Sequence, residues 1–330
     1  MYAESPERSS GGLFHRFKYV LTVASLMVAT AAQAAYPEKS IQMIVAYPPG
    51  GSTDTVARAL AQGLSEDLKR AVVVENRPGA GGIVGMAQAA RAAPDGYNIH
   101  FAATTSQAVG DAIQSQTVNL IDDFVPIGLV GATSHALVIT ASLPVNNVAE
   151  LVAYIKASPG KYNYASHGPG TLSHLESELF IKENGLQMTH IPYKGSAQAL
   201  PDVVNGSSIM TFDSFTGSRG LVDAGKLKYL AVPTKERVSY FPDLPTLAEE
   251  GVKNIEVNNL FGLFAPKGTP REVIDTLSAS IKRVSTRPDL KEALALKASE
   301  LIYASPEDTG KMVAEEHRFW GEVVKAAGIK

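Results

Sequence analysis

The turn at residues 47–54 reads Tyr-Pro-Pro-Gly-Gly-Ser-Thr-Asp and follows the apolar run at 41–46. This pattern predicts a strand, a glycine turn and the start of a helix. Such a turn directs bare backbone N–H groups and a helix N-terminus at one point, which favours an anion. The turn lacks the Gly-Lys-Ser/Thr ending of a nucleotide P-loop, so a small carboxylate is favoured over a phosphate. The candidate ligand-binding residues here are Gly50, Gly51, Ser52 and Thr53.

Structural roles are an alternative for parts of this turn. Ser52 or Thr53 could only cap the helix, although capping uses one oxygen and leaves other donors for a ligand. Asp54 would repel an anion unless its carboxylate points away. We therefore predict that Asp54 stabilises the first turn of its helix through the helix dipole.

Three further polar turns also follow predicted strands, which end near residues 103, 165 and 191. The second turn opens a helix and so repeats the anion-binding arrangement. The candidate ligand-binding residues are Thr104, Thr105 and Ser106 in the first turn, Ser166, His167, Gly168, Thr171 and His174 in the second, and Lys194 and Gly195 in the third. The structural alternatives are a hydroxyl-rich turn, a packed histidine and a solvated lysine.

Asp213 ends the next predicted strand, and Phe215 follows it. Asp213 could accept a hydrogen bond from a ligand hydroxyl or amine, or it could pin a neighbouring loop, and we prefer the second interpretation. His174 and Glu178 have the i,i+4 spacing of a metal pair but lack further ligands at useful spacing. The sequence therefore predicts no metal site and no cofactor.

Short apolar runs alternate with helical patterns along most of the chain. Alternation at this spacing predicts an α/β fold of βαβ units, with mostly parallel sheets flanked by helices. Polar turns recur just after strands, which is the edge where open α/β sheets bind ligands. Two such domains facing each other would form a ligand cleft.

The first 34 residues have the features of a signal peptide. Arg16 and Lys18 precede an apolar stretch at 19–32, and Ala32-Gln33-Ala34 is a small-x-small cleavage pattern. We predict export, with cleavage near Ala34, and an uncleaved anchor helix is the alternative. About 300 residues remain after cleavage, enough for two domains.

The composition excludes several classes of protein. The chain has no cysteine, so it has neither disulfides nor thiolate chemistry, and its net charge of −3 gives no nucleic-acid footprint. We therefore expect no nucleic-acid partner.

The ordered set of short motifs resembles the Bug-type solute-binding proteins of tripartite tricarboxylate transporters. Each motif is weak alone, but their order and spacing are specific and cover the mature chain. They are YPEKSI at 36–41, PPGGSTD at 48–54, ENRPGAGG at 75–82, PDGY at 94–97, GPGT at 168–171 with His174, PYKG at 192–195, LPT at 244–246, FGL at 261–263 and GTP at 268–270.

The resemblance implies a two-lobed periplasmic-binding-protein fold with the ligand cleft between the lobes. By similarity, lobe 1 comprises residues 36–135 plus 259–330, and lobe 2 comprises 136–258. The family implies an exported, periplasmic protein that captures a small carboxylate, aliphatic or aromatic, and delivers it to a membrane permease. It is expected to be a monomer and not an enzyme.

The chain departs from the family pattern at two places. Gly217-Ser218-Arg219-Gly220 replaces a proline-led turn, and Arg219 could pair with a second ligand carboxylate or be a solvated loop residue. Leu260 stands where the family often has tryptophan, so Tyr47 and Phe215 are the candidates for an aromatic cleft wall.

Two rival functions differ from transport. One is a serine hydrolase using Ser166, His174 and Asp213, although the chain has no Gly-x-Ser-x-Gly elbow. The other is a sensory protein that presents its bound ligand to a membrane kinase, which the sequence does not separate from a transport receptor.

Overall fold

A computed structural model describes residues 1–3, 36–113, 117–238 and 240–328. The predicted signal peptide and its cleavage site fall almost wholly outside the described residues. The chain divides into Met1–Glu38 and Lys39–Lys330, and the architecture below is that of the second unit. None of the helices in the described ranges has the length and apolarity needed to cross a membrane.

The first part of this unit alternates strands and helices, as the sequence predicted. The elements are β1 (Ile41–Val45), α1 (Ser52–Leu68), β2 (Val72–Asn76), α2 (Ile83–Ala90), β3 (Asn98–Ala103), α3 (Thr104–Ile113) and β4 (Phe124–Thr133). A 3₁₀ turn (Ala80–Gly82) precedes α2.

The middle and final parts continue the alternation. The middle elements are β5 (His135–Thr140), α4 (Val148–Lys156), β6 (Asn163–Ser166), α5 (Leu172–Glu183), β7 (Thr189–Pro192), α6 (Ser196–Val204), β8 (Met210–Ser214), α7 (Phe215–Asp223) and β9 (Leu227–Ala231). The final elements are β10 (Asn259–Pro266), α8 (Arg271–Ser285), α9 (Pro288–Ala295), β11 (Ser299–Ala304) and α10 (Pro306–Ala327).

Two sheets organise these strands. The six-stranded sheet has the order β11-β4-β10-β3-β1-β2, and the five-stranded sheet has the order β7-β6-β8-β5-β9. The first sheet takes its strands from 41–133 and 259–304, and the second from 135–231. His135, which the prediction assigns to lobe 1, belongs to a strand of the five-stranded sheet, and the division into lobes stays a prediction.

Both sheets are mixed, whereas the sequence pattern predicted mostly parallel strands. The strands joined by helical crossovers are parallel: β1 pairs with β2 and β3, and β6 pairs with β7 and β8. The strands by which the chain passes between sheets are antiparallel to their neighbours: β4 and β10 in one sheet, β5 in the other. Only Ser134 separates β4 from β5, so the chain passes from the first sheet into the second without a helix between the two strands. A helical crossover is what makes successive strands parallel, and this connection lacks one.

The C-terminal helix α10 contributes to the core of the second sheet. Trp320 and Val324 are buried in the same cluster as Leu175 and Phe180 of α5, together with Val109 of α3. The division implied by the family resemblance places this helix in lobe 1 alone. Its last turns also pack against lobe 2, because their apolar side chains meet those of α5.

Candidate ligand-binding cleft

A cavity of about 240 Å³ lies between residues of the six-stranded half and residues of the five-stranded half. It is lined by eight of the residues predicted from sequence: Tyr47, Gly51, Ser52, Thr53, Ser106, His167, Thr171 and Gly195. The other lining residues are Pro48, Pro49, His135, Leu172, Ser173, Ser196, Ala197, Gln198, Ser214 and Asn259.

Five helices begin at this cavity, and their N-terminal residues form much of its wall. Helix α1 contributes Ser52 and Thr53, α3 contributes Ser106, α5 contributes Leu172 and Ser173, α6 contributes Ser196 to Gln198, and α7 contributes its N-cap, Ser214. Each helix N-terminus carries partial positive charge and N–H groups without an intrahelical partner. The cavity wall is therefore suited to an anion, although the side chains there are mostly neutral.

The N-caps of α1 and α6 are glycines, Gly51 and Gly195, and neither helix has a side-chain cap. Their first-turn N–H groups are consequently not used up by a capping oxygen. At α5 the N-cap Thr171 donates its hydroxyl to the carbonyl of Gly168 at 2.7 Å, rather than capping the helix. The alternative in which Ser52 or Thr53 serves only as a cap for α1 is wrong, since Gly51 occupies that position.

Asp54 supports the first turn without entering the cavity lining. Its carboxylate accepts hydrogen bonds from the Gly50 N–H at 3.0 Å, from Arg58 Nε at 2.9 Å and from Asn76 Nδ2 at 2.9 Å. Burial favours a raised pKa, but these hydrogen bonds outweigh it and the pKa of Asp54 is lowered. Asp54 is thus held by hydrogen bonds, and the predicted dipole contribution stays a prediction. Gly50, predicted to bind ligand, lies outside both cavity linings, and its N–H is used by Asp54.

A smaller cavity of about 140 Å³ adjoins the first. Two predicted residues, Gly168 and Lys194, line this cavity and not the larger one. The two cavities share Tyr47, Pro48, His167 and Thr171 as lining residues. The glycine-rich turn at 79–82 also lines the smaller cavity.

Contacts between the two halves surround the cavities. The Leu172 N–H of α5 donates to Ser106 Oγ of α3 at 3.2 Å. A Cβ atom on Gly195 would lie 3.2 Å from Cγ of Pro48, so the two turns touch at this glycine. The halves are therefore in contact around the cavity mouth.

Thr104 and Thr105 lie outside both linings. Thr104 Oγ1 donates to the Leu260 carbonyl at 3.4 Å, and Thr105 Oγ1 accepts from the Leu260 N–H at 3.2 Å. Thr105 also donates to Glu316 of α10. These two threonines join α3 to β10 and α10, and only Ser106 of this turn reaches the cavity.

Ser166 and His174 are also removed from the cavity. Ser166 is fully buried, and its Oγ lies 2.6 Å from Nε2 of His190, a residue not considered from sequence. The ring of His174 stacks on His190 with 4.3 Å between centroids, and His190 stacks on Tyr164 at 4.8 Å. Burial lowers the pKa of His190 to about 4, so this histidine is neutral.

The hydrolase interpretation is not supported by this arrangement. Ser166 pairs with His190, which lies away from the cavity lining, and Asp213 bonds to Ser196 Oγ at 2.6 Å. Ser166, His174 and Asp213 therefore make no nucleophile–base–acid chain. Among the described residues, no group of three or more acidic, histidine or cysteine side chains is arranged to hold a metal ion.

Phe215 and Arg219 lie outside the cavity lining, and both contact the ring of Phe241. Phe215 is fully buried and stacks on Phe241 with 4.7 Å between centroids. Arg219 lies 3.6 Å from Asp223, and its guanidinium covers the same Phe241 ring at 5.3 Å. Of the two predicted aromatic wall residues, only Tyr47 lines the cavity, and burial raises its pKa to about 12, so it is neutral.

His135 and Asn259 line the cavity but were not predicted. Each is the first residue of a strand, β5 and β10, whereas the predicted residues were those that follow strands. The antiparallel entry of these strands brings their amino ends to the edge where the parallel strands end. The local signal for both is a polar residue that directly precedes an apolar run.

The comparisons with known proteins agree with this architecture. The chain belongs to the tripartite tricarboxylate transporter receptor family, whose model matches residues 56–329. It is similar to the periplasmic binding protein BugD, with 35% identity and a TM-score of 0.84, over 89% of this chain and 99% of BugD. The resemblance to Bug-type binding proteins and the two-lobed α/β fold class are thus confirmed.

Two further solved structures carry ligands. Rpa4515 from R. palustris, solved with adipate, has 32% identity and a TM-score of 0.85, over 89% of this chain and 99% of its own. MatC from Rhodopseudomonas palustris, solved with bound malate, has 27% identity and a TM-score of 0.82, over 88% of this chain and 100% of its own.

Proposed function

We propose that this protein captures a small carboxylate in the cleft and delivers it, in the periplasm, to the membrane permease of a tripartite tricarboxylate-type transporter. The observation that carries the proposal is the convergence of five helix N-termini on one cavity between the two halves. Relatives holding adipate and malate support the same ligand chemistry.

Capture requires that the ligand be bound more tightly when the halves close on it. Hydrogen bonds to an ionised carboxylate are stronger than neutral ones, so several N–H and O–H donors suffice to hold it in a desolvated cleft. The residues we assign to this role are Gly51, Ser52, Thr53 and Ser106. The ligand passes to the permease when the halves reopen.

The first test is a thermal-shift screen with malate, adipate and benzoate, each compared with its amide. A ligand at 100 times its Kd should stabilise the protein by about 2.7 kcal/mol, while the amides should give no shift. Equal shifts for acid and amide, or no shift for any acid, would contradict the proposal. Loss of uptake of the same acid in cells lacking the gene tests the transport step.

A matched pair of variants localises the site. Gly51 has φ −82°, and a Cβ atom added to it would have no other atom within 4 Å, so Gly51→Val should fold normally and place its side chain in the cavity. Gly321 of α10 is equally open and lies outside the cavity lining, so Gly321→Val is the control. We expect ligand-induced stabilisation to be lost in the first variant and kept in the second.

A further inference from the structure

Two acid–histidine pairs lie at the cavity wall, and the proposed function does not use them. Glu176 Oε2 lies 2.6 Å from Nδ1 of His135, and Asp213 Oδ1 lies 3.5 Å from Nε2 of His167. Both histidines line the cavity, whereas neither carboxylate does. The cavity thus meets the histidine rings, and the carboxylates lie behind them.

The orientation of His135 is determined by its partner. Its side chain is 5% exposed and that of Glu176 is 1% exposed. Because Nδ1 is engaged by Glu176, the opposite ring nitrogen, Nε2, lies on the edge away from that carboxylate. No hydrogen bond to Nε2 is found among the described residues, although the ring lines the cavity.

The surrounding charges favour the protonated form of His135. Burial by itself would lower its pKa, but the charge and hydrogen bond of Glu176 and the charge of Asp213 outweigh burial, and the pKa is raised. The other titratable groups around the cavity are His167, whose ring lies 5.9 Å from that of His135, and the neutral Tyr47.

We propose that His135, held as an imidazolium by Glu176, donates its Nε2–H to a carboxylate oxygen of the ligand. This inference rests on the proposed function and assigns a side-chain cation to the site. His135 is then a ligand-binding residue, and Glu176 is a positioning residue that acts through it. The ligand group at this position must be an anionic hydrogen-bond acceptor.

The inference predicts how affinity depends on pH. Ligand affinity should be greatest below the pKa of His135 and fall as the pH rises through it, since the imidazolium is then lost. Replacement of Glu176 by glutamine keeps an acceptor for Nδ1–H but removes the charge. The pH at which affinity falls should therefore move lower in Glu176→Gln.

The experiment measures Kd by calorimetry from pH 6 to pH 9, using whichever of malate, adipate and benzoate binds the wild-type protein most tightly. We expect about tenfold weaker binding in His135→Gln at pH 7, because a charged donor is replaced by a neutral one. In Glu176→Gln, affinity should be about tenfold weaker than wild type at pH 7 and should recover toward the wild-type value as the pH is lowered.

A matched control lies on the same helix. Glu178, two residues along α5, bonds to the Tyr164 hydroxyl and lies 3.9 Å from His174, outside the cavity. Glu178→Gln should leave the pH profile unchanged. A shift as large as that of Glu176→Gln would overturn the inference, as would a wild-type affinity that is independent of pH.

A second measurement covers the case in which His135→Gln does not fold. The histidine ring signals of the wild-type protein can be titrated by NMR with and without the same acid. Direct contact predicts that binding raises the pKa of His135, and an unchanged pKa contradicts it. If none of the three acids binds, the proposed function fails as well, whereas binding that is insensitive to His135 and pH removes only this inference.

Discussion

Replacement of Gly81 by alanine should weaken ligand binding, by hindering closure of the cleft, more than it lowers the stability of the fold. Gly81 lies in the 3₁₀ turn after β2, in the six-stranded half, and has φ +65°. A Cβ atom there would lie 2.9 Å from the carbonyl oxygen of Pro169, which follows β6 in the five-stranded half. Such a distance is too short for a carbon–oxygen contact, so one of the two turns would have to move.

Gly81→Ala has two energetic costs, one present in both the open and the closed form and one present only in the closed form. The left-handed backbone conformation costs alanine about 1 kcal/mol whether the halves are together or apart. The clash with Pro169 occurs only when they are together, and overpacking of this kind costs about 1–3 kcal/mol. If the ligand is bound only in the closed form, the clash appears in Kd as a loss of about fivefold to 150-fold.

Gly185 offers a control for the backbone term. It has φ +60° and no atom within 4 Å of a Cβ position. In urea unfolding without ligand, Gly185→Ala and Gly81→Ala should each lose about 1 kcal/mol. In calorimetry with the acid identified by the screen, only Gly81→Ala should bind more weakly. Unchanged affinity in Gly81→Ala would refute the idea that these turns meet in the ligand-bound state.

Two further predictions concern the carboxylates of Asp54, which is buried, and Asp111, which is partly buried. Asp54→Asn should lower the free energy of unfolding in urea by about 1–3 kcal/mol at pH 7, because the contacts to Arg58, Asn76 and Gly50 stabilise the ionised form. Since the pKa of Asp54 is lowered in the folded state, the difference in stability between variant and wild type should shrink at pH 3. A difference that is the same at both pH values would contradict this prediction. Burial, and then the charges of its acidic neighbours, raise the pKa of Asp111 to about 7, so the wild-type protein loses stability between pH 4 and pH 7 as only the unfolded carboxyl ionises. At pH 8, Asp111→Asn should therefore be more stable than wild type by about 2 kcal/mol. This figure is roughly half of the free energy that corresponds to the full pKa difference, as an allowance for solvent screening. At pH 4 the variant and the wild type should unfold at the same temperature.

Local sequence determined part of the cavity wall. A glycine turn between an apolar run and a helical pattern was enough to place Gly51, Ser52 and Thr53 at a helix N-terminus that lines the cavity. The N-cap of α4 is equally local, because the Asn147 side chain accepts from the Glu150 N–H at 2.8 Å. These features depend on residues within a few positions of one another.

The residues that sequence placed incorrectly depend on distant partners. Ser166, predicted to follow a strand, is the last residue of β6, and its Oγ bonds to His190 on the neighbouring strand β7. Phe215 follows a strand, yet its ring is buried against Phe241. Following a strand therefore indicates the correct edge of the sheet but not the direction of the side chain.

Only the tertiary structure determined which strands begin, rather than end, at the cavity. The chain crosses between the sheets through β5 and β10, which enter antiparallel to the strands beside them. His135 and Asn259 reach the cavity by this route, and Glu176 meets His135 from a helix 41 residues along the chain. Strand direction in a sheet is set by how the whole chain is connected, so no local pattern of residues could have specified the cation that we assign to the site.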